Sequence, residues 1–149
     1  MRHKLINDDA ERTYALIMDN GDEAVSTLQH FCERKGIGSA RFTAIGAFSD
    51  LTLGYFDWEK KAYEKIPLCE QVEVLMLAGD VAVQEGKPKI HAHITVGKRD
   101  GSAHGGHLLA GTVRPTLEVM LIESPRHLTR TMDAQSGLAL IDIEASGRS

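Results

Sequence analysis

Four of the seven histidines in this 149-residue chain lie in one short stretch, between Lys87 and Gly111. Two of them, His91 and His93, are two residues apart in a run where apolar residues alternate with them. Successive side chains of a β-strand point to opposite faces. We therefore predict that both imidazoles lie on one face of a strand, and that the apolar side chains lie on the other face, toward the core.

A third histidine, His107, follows a segment that is typical of a turn. The residues after Val96 read Gly-Lys-Arg-Asp-Gly-Ser and include Asp100-Gly101, a strong hairpin signal. A loop with an odd number of residues places His107 beside His93, and this is our prediction. A two-residue Asp-Gly turn would send His107 to the opposite face, because a slip of one residue inverts every side chain. A subunit boundary is a second route by which His107 can meet the pair.

These residue types and their spacing suit a metal ion. Residues two apart on a strand are about 6.5–7 Å apart, and directly opposed Cβ atoms are about 5 Å apart. Imidazole nitrogens bind zinc at about 2.0–2.1 Å, and three histidines with an open fourth position form the zinc site of carbonic anhydrase. We predict a divalent metal, with zinc as first choice, at His91, His93 and His107. Histidines hydrogen-bonded at an interface and ordinary solvated surface are the alternatives, and His104 is a weaker candidate ligand.

The length and composition fit one globular domain. We expect a single domain over residues 1–149, with a core from about 12 to 144 and a loose tail, because a chain of this size can bury about two-thirds of its unfolded surface. The sequence has no apolar run typical of a membrane span or a signal peptide, so we expect a cytoplasmic protein without membrane contact. Cys32 and Cys69 show no metal or redox spacing, and we expect both to be reduced and buried.

The charge distribution argues against DNA as a direct partner. The formal net charge is −4 and there is no basic run, whereas proteins that bind nucleic acid through phosphates usually carry clustered Lys and Arg. Arg114, Arg126 and Arg130 are the residues from which a local basic patch could form.

Most of the chain has the pattern of β-structure. Arg12 to Met18 predicts a strand, and the next segment predicts a helix that Asp22 caps and Gly36 ends. Gly46 and Gly54 predict bends or a close backbone approach. Further strands are predicted at residues 40–47, 51–57, 63–66, 71–83, 90–96, 117–122 and 138–143, besides the strand that carries His107.

This pattern predicts an α+β fold, with a mostly antiparallel, strongly curved β-sheet and one main α-helix packed on it. One helix cannot cover both faces of so much sheet. The remaining apolar surface must therefore meet more of the same sheet or another subunit.

Motifs for familiar enzyme classes are absent from the sequence. It has no nucleophile elbow, no P-loop and no dinucleotide fingerprint. A general base for a metal-dependent reaction would come from the acids in or beside the predicted strands, although ion pairs are the simpler interpretation: Glu70, Glu73, Asp80 and Glu118. Glu73 shares a side with Leu75 and Leu77, so it needs a partner if it is buried.

Several segments resemble the PPC family, also called DUF296, the "plants and prokaryotes conserved" domain. The resemblance extends from Tyr14 to Ile143. It is carried by five segments: Ala44–Phe48, Leu53–Asp57, Glu70–Asp80, Gly86–His93 and Gly105–Gly111.

This resemblance implies an antiparallel α+β fold assembled as a homotrimer, and metal binding through histidines that match His91, His93 and His107. Plant relatives join the domain to an AT-hook, an Arg-Gly-Arg-Pro segment, which does not occur in this sequence. Their partner-binding segment, Gly-Arg-Phe-Glu-Ile-Leu, falls here on Glu70–Leu75, where only the glutamate and the apolar alternation persist.

Three hypotheses for function follow. The first is a homotrimer that binds a divalent metal, zinc first, through the three histidines. The second is a zinc-dependent enzyme acting on a small substrate that the sequence does not identify. The third is a DNA-associated regulatory module that works through partners, which the family label suggests and the acidic charge disfavours.

Overall fold

Nine β-strands and one α-helix make up the secondary structure of the described residues, apart from a short 3₁₀ turn at Ala145–Gly147. The computed structural model describes residues 1–8, 11–125 and 127–147, and it describes only the backbone of residues 2–8 and 147. The elements in chain order are β1 (Arg2–Asp8), β2 (Arg12–Met18), α1 (Ala24–Lys35), β3 (Ser39–Asp57), β4 (Ala62–Leu68), β5 (Val72–Gln84), β6 (Lys87–Gly97), β7 (Ala103–Glu123), β8 (Thr129–Met132) and β9 (Ala139–Asp142).

All nine strands belong to one sheet, and the pairing of four of them explains its curvature. Strand β3 pairs with β5 and β7, and β6 also pairs with β5 and β7, so the path of hydrogen-bonded neighbours closes on itself. A flat sheet cannot close in this way. Every pairing is antiparallel except the contact between β5 and β8 at Val83 and Thr129. The α+β class and the mostly antiparallel sheet are therefore confirmed.

Two pairs of predicted strands are each one long strand. Residues 40–47 and 51–57 both belong to β3, which is 19 residues long, and the strand that carries His107 continues through 117–122 as β7, which is 21 residues long. The pairing of β3 with β7 shifts register three times, between Gly46 and Asp50 and again at Thr52. These irregularities let each strand bend without ending. In the sequence, the polar residues at the bends divide each long strand into two apparent shorter strands. Strands β1 and β8 were not predicted, because neither follows an apolar alternation.

Gly46 makes the bend in β3 possible. Its backbone has φ +150, and a Cβ at this position would lie 2.2 Å from the carbonyl oxygen of Thr116. Only glycine adopts this conformation and permits this approach at low cost. A Cβ at Gly54 would lie 2.8 Å from the Tyr63 ring, so both predicted close approaches are observed.

The helix packs on the inner face of the sheet and completes the core. It buries Ala24, Leu28, Phe31 and Cys32. Glu23 caps it, because its carboxylate accepts hydrogen bonds from the backbone N–H groups of residues 25 and 26. The prediction of Asp22 as the cap was wrong. Gly36 ends the helix in the left-handed conformation, as predicted, with φ 67.

Two further expectations about side chains need correction. A bulge in β5 between Val74 and Met76 changes the side on which residues point, so Glu73 is exposed while Leu77 is buried. Glu73 therefore needs no buried partner. The thiol of Cys32 is buried, and burial raises its pKa to about 12, whereas Cys69 is exposed.

Of the three arginines from which a local basic patch could form, Arg130 is unavailable because it is buried in an ion pair. The Arg130 side chain is only 8% exposed and is paired with Asp80. Arg114 is exposed, and Arg126 lies outside the described residues. Within the same described ranges, no helix combines the length and the apolar character that crossing a membrane requires.

Candidate metal centre

Strand β6 presents two histidines on one face because its apolar residues occupy the other. Ala92, Ile94 and Val96 are buried beneath the helix side of the sheet. His91 and His93 alternate with them and therefore point to the opposite face. The alternation read from the sequence is thus the alternation of the folded strand.

The loop between β6 and β7 has five residues, Lys98 to Ser102, and its geometry fixes the register. Asp100 accepts hydrogen bonds from the backbone N–H and hydroxyl of Ser102, and Gly101 is left-handed at φ +82. Because the residue count is odd, His93 lies directly opposite His107 in the ladder. The predicted odd loop is observed, and all three imidazoles share one face of the same chain.

Two glycines before His107 allow β7 to pass between its neighbours. A Cβ at Gly105 would lie 3.0 Å from the carbonyl oxygen of Ile94, and one at Gly106 would lie 3.0 Å from that of Gly54. The glycine pair thus permits close packing next to the histidines. His104 pairs with Val96, so its position in the ladder places it on the face opposite to His107.

The three histidines form a compact cluster. Ring centroids are 5.1 Å apart for His91 and His93, 5.2 Å for His91 and His107, and 5.5 Å for His93 and His107. One nitrogen from each ring lies within 4.8 Å of the other two. Nitrogens that share a tetrahedral zinc ion are about 3.4 Å apart. Side-chain rotations that close each gap by at most about 1.4 Å would satisfy one ion.

The electrostatics of the cluster favour neutral imidazoles. Burial, followed by the neighbouring His91 and His93, lowers the pKa of His107 to about 4. Burial and the charge of His91 also lower the pKa of His93. A neutral imidazole keeps the lone pair that a metal needs. The Nδ1 atom of His107 is buried and has no hydrogen-bond partner among the described residues, which is the arrangement expected where a ligand is to bind.

An acidic residue on the neighbouring strand orients His91. Asp80 of β5 is opposite His91 in the ladder, and its Oδ2 is 3.6 Å from the His91 Nδ1 atom. Its other oxygen accepts a hydrogen bond from the Arg130 guanidinium. Burial would raise the pKa of Asp80, but His91 and Arg130 outweigh it and hold that pKa below its usual value. Asp80 therefore remains ionised beside the ring, as carboxylates behind metal-ligating histidines commonly do.

A cleft of about 300 Å³ opens beside the cluster. The Tyr63 ring of β4 packs against His107 with ring centroids 4.7 Å apart. Residues of the β8–β9 hairpin close the far side of the cleft. Arg130 ties this hairpin to β5 through Asp80, and within the hairpin it donates to the carbonyl oxygen of Ala139. Residues from six strands, β4 to β9, thus line the cleft beside the cluster.

Sequence analysis missed three contributors to this site. Asp80 was considered only as a general base or an ion-pair partner, Arg130 only as one of three arginines from which a basic patch could form, and Tyr63 was not singled out. Asp80 and Arg130 are 50 residues apart in the chain, so no local pattern indicates their contact. The other acids considered are not part of the cluster: Glu70 pairs with Lys98, and Glu118 is exposed.

Comparison with known proteins places this arrangement in context. A family model for the Plants and Prokaryotes Conserved domain matches residues 6–125. Two curated relatives, both named bifunctional protein GlmU and both from Synechococcus strains, are 28% and 26% identical over 136 residues. These matches cover 89% of this chain but only 21% and 20% of the relatives, so the chain spans about a fifth of their length.

Solved structures match over nearly the whole chain. A plant- and prokaryote-conserved protein from Pyrococcus horikoshii is 33% identical, with a TM-score of 0.83 and coverage of 95% of this chain and 94% of its own. A metal-containing protein from Archaeoglobus fulgidus is 36% identical, with a TM-score of 0.82 and coverage of 95% and 96%. A protein from Bacteroides thetaiotaomicron, whose name proposes that it binds DNA, is 32% identical, with a TM-score of 0.86 and coverage of 95% and 98%.

Proposed function

Because this chain belongs to the Plants and Prokaryotes Conserved domain family, we propose that it is a metal-binding member that holds one divalent ion, zinc first, through His91, His93 and His107. The observation that carries this proposal is the convergence of the three ring nitrogens to within 4.8 Å on one face of one hairpin. The relative from Archaeoglobus fulgidus, which is named as metal-containing, supports it.

Each residue of the cluster has a defined part in the proposed site. The three imidazoles supply neutral nitrogen ligands, and Asp80 fixes the orientation of the His91 ring from behind. The donor set favours zinc over magnesium or calcium, because those ions prefer oxygen ligands. When bound, zinc supplies a Lewis acid with a coordination position left open by three protein ligands.

Metal analysis of the purified protein tests this proposal. The protein should be prepared without a nickel column and analysed by inductively coupled plasma mass spectrometry. We expect close to one zinc ion per chain, and a loss of at least about tenfold in affinity for the single variants His91→Ala, His93→Ala and His107→Ala. His30→Ala is the matched control, because His30 is exposed on the helix. Full metal content in the triple alanine variant would refute the site.

We also propose that the protein assembles as a homotrimer. Exposed apolar residues support this, because Ile45 is 57% exposed, Leu75 52%, Met76 50% and Met120 43%. The registers of β3 with β5 and β7 place all four around one region of the outer sheet face. Contiguous exposed apolar surface of this kind marks interfaces. The unpaired cysteines fit a reducing compartment, and we propose the cytoplasm as the location.

A second candidate function is zinc-dependent catalysis on a small molecule. The cleft of about 300 Å³ beside the three histidines favours it, because three protein ligands leave a position open toward substrate. A DNA-associated role has weaker support. It relies on the name of the Bacteroides relative, and the net charge of −4 opposes it. Sequence-specific binding of a duplex at physiological salt would favour the DNA-associated role.

A further inference from the structure

The cleft beside the histidines is lined by cations and by no described anion. Its charged lining residues are Lys89 and Arg130, apart from the histidines themselves, and the remaining polar lining groups are Tyr63 and Gln84. Asp80 is not among the lining residues, and its charge is engaged by Arg130 and His91. A divalent ion on the histidines would add further positive charge. The site therefore attracts an anion.

Arg130, which lines the same cleft, carries a buried N–H donor for which the described residues supply no acceptor. Its side chain is 92% removed from solvent, since only 8% is exposed. One terminal nitrogen donates to Asp80 and the other to the carbonyl oxygen of Ala139, while the Nε atom is buried and has no partner among the described residues. A buried N–H without an acceptor is costly, so an acceptor supplied by a ligand would relieve a real deficit.

The rest of the lining favours an organic anion over an inorganic one. Leu138, Ala139 and Leu140 contribute apolar groups to the lining, beside the cationic residues. A volume of about 300 Å³ is at the lower end for small-molecule sites, which is enough for a molecule of a few carbon atoms. Phosphate could interact with the cationic side chains, but it has no apolar part that could pack against the apolar lining residues.

We propose that this cleft binds a small organic acid, with its carboxylate directed to Arg130 and Lys89 and its short carbon chain against Leu138 and Leu140. The ligand then lies next to the three histidines, and in this respect the inference deepens the proposed metal-dependent function. Arg130 and Lys89 belong to the chain, so the binding of an anion by these residues does not require a metal. Anion binding can therefore be measured with and without metal.

The experiment compares a small acid with its neutral isostere. The probes are 2-hydroxypropanoate, 2-hydroxypropanamide and inorganic phosphate, titrated by calorimetry and by ligand-observed NMR into protein of measured metal content and into the chelator-treated protein. We expect the acid to bind at least about tenfold more tightly than the amide, because charge-assisted hydrogen bonds are about twice as strong as neutral ones. It should also bind more tightly than phosphate.

Two lysine variants connect the binding to the cleft. Lys89→Gln should weaken acid binding about threefold or more, which is in the range of an exposed charge interaction. Lys35→Gln is the matched control, because Lys35 is exposed on the helix, which packs on the opposite face of the sheet from the histidines, and this variant should bind the acid like the parent. Both lysines are exposed, so both variants should fold.

The outcomes separate this inference from the metal proposal. Equal binding of acid and amide, stronger binding of phosphate, or the same effect of both lysine variants would overturn the organic-acid inference even if zinc is present. Acid binding that depends on Lys89 in a protein without affinity for zinc would support the inference while the metal proposal fails.

Discussion

His107 lies at the junction of three strands. It pairs with His93 of β6 and with Gly54 of β3, and its ring packs on Tyr63 of β4. This position explains why it is more buried than His93, and why burial, followed by the neighbouring His91 and His93, lowers its pKa to about 4. A histidine that is neutral over the whole physiological pH range is well suited to metal binding. In the metal-free protein, however, the same burial lowers the stability of the fold at acid pH.

The first prediction concerns acid stability of the metal-free protein. The folded pKa of His107 is about 4, below the ordinary 6.5, so the unfolded chain binds the proton first as the pH falls. The stability contribution is therefore complete above about pH 6.5 and is lost as the pH drops toward 4. After allowance for partial solvent exposure, we expect a loss of about 1–2 kcal/mol over this range.

Urea unfolding of the metal-free protein at several pH values between 7 and 4.5 measures this effect. His107→Gln should have a shallower dependence on pH than the parent, because glutamine does not titrate. His30→Gln serves as the control, since His30 is exposed and should leave the slope unchanged. An identical slope for the parent and for His107→Gln would contradict the assignment.

The second prediction concerns the carboxylate behind His91. Asp80→Asn keeps the size of the side chain but removes the charge that holds His91 and Arg130. Substitutions in this position relative to a metal commonly reduce affinity about 10–100-fold, and we expect a loss in this range with all three histidines intact. Competition with a chromophoric chelator gives the zinc affinity.

Glu70→Gln is the matched control for Asp80→Asn. It also removes a carboxylate from an ion pair, in this case with Lys98, but away from the histidines. Unchanged zinc affinity in Asp80→Asn, or an equal loss in both variants, would show that Asp80 does not support the site.

At the scale of elements, two long bent strands determine the position of the cluster. Strand β7 pairs with β6 near its start, with β3 along most of its length and with β2 near its end. It can do so because it bends at several register shifts rather than ending. At the close contact of Gly46 with Thr116, β3 and β7 can approach each other only because glycine has no side chain.

The third prediction tests that contact. Gly46→Ala should lower the free energy of unfolding by about 2–4 kcal/mol, because φ +150 is strained for alanine and its Cβ would lie 2.2 Å from the Thr116 oxygen. Gly101→Asn is the comparison. Gly101 is also left-handed, but open space surrounds it and asparagine tolerates this conformation. Chemical unfolding at pH 7 measures both, and equal small losses would mean that the β3–β7 contact is adaptable.

At the scale of the whole molecule, one helix covers one face of a large sheet, and part of the other face is apolar. Ile45 occupies the register position opposite the bulge that contains Leu75, and Met120 is on the adjoining strand β7. The three histidines and this apolar region are different residues of the same curved sheet. The proposed assembly and the proposed metal binding therefore do not require the same residues.

The fourth prediction concerns assembly. Light scattering should give a mass of about three times the 16.3 kDa of one chain. Ile45→Glu should reduce the mass toward that of the single chain, because it places a charge within the apolar region. Ile66→Glu is the control, since Ile66 is 42% exposed but lies on β4, away from this region. A parent protein that elutes and scatters as one chain would end the trimer proposal.

The sequence by itself determined the features that depend on local periodicity. The alternation around His91 and His93 assigned the two histidines to one face, and Asp100-Gly101 located the hairpin, because pleat and turn chemistry act over a few residues. The same locality explains the α+β class with one helix that ends at Gly36. It also explains why the prediction of Asp22 as the helix cap was wrong. Neighbouring acidic residues are locally equivalent, and Glu23 also accepts a hydrogen bond from the backbone of Gly111 in β7.

Only the tertiary structure decided the surroundings of the histidines. The pairing of His93 with His107 required the actual length of the loop, and the contact of Asp80 with Arg130 joins residues from β5 and β8. The Tyr63 ring reaches His107 because Gly54 has no side chain in its way. The second and third of these contacts join strands far apart in the chain, β5 with β8 and β4 with β7. A pattern within one segment carries no information about which distant strands meet.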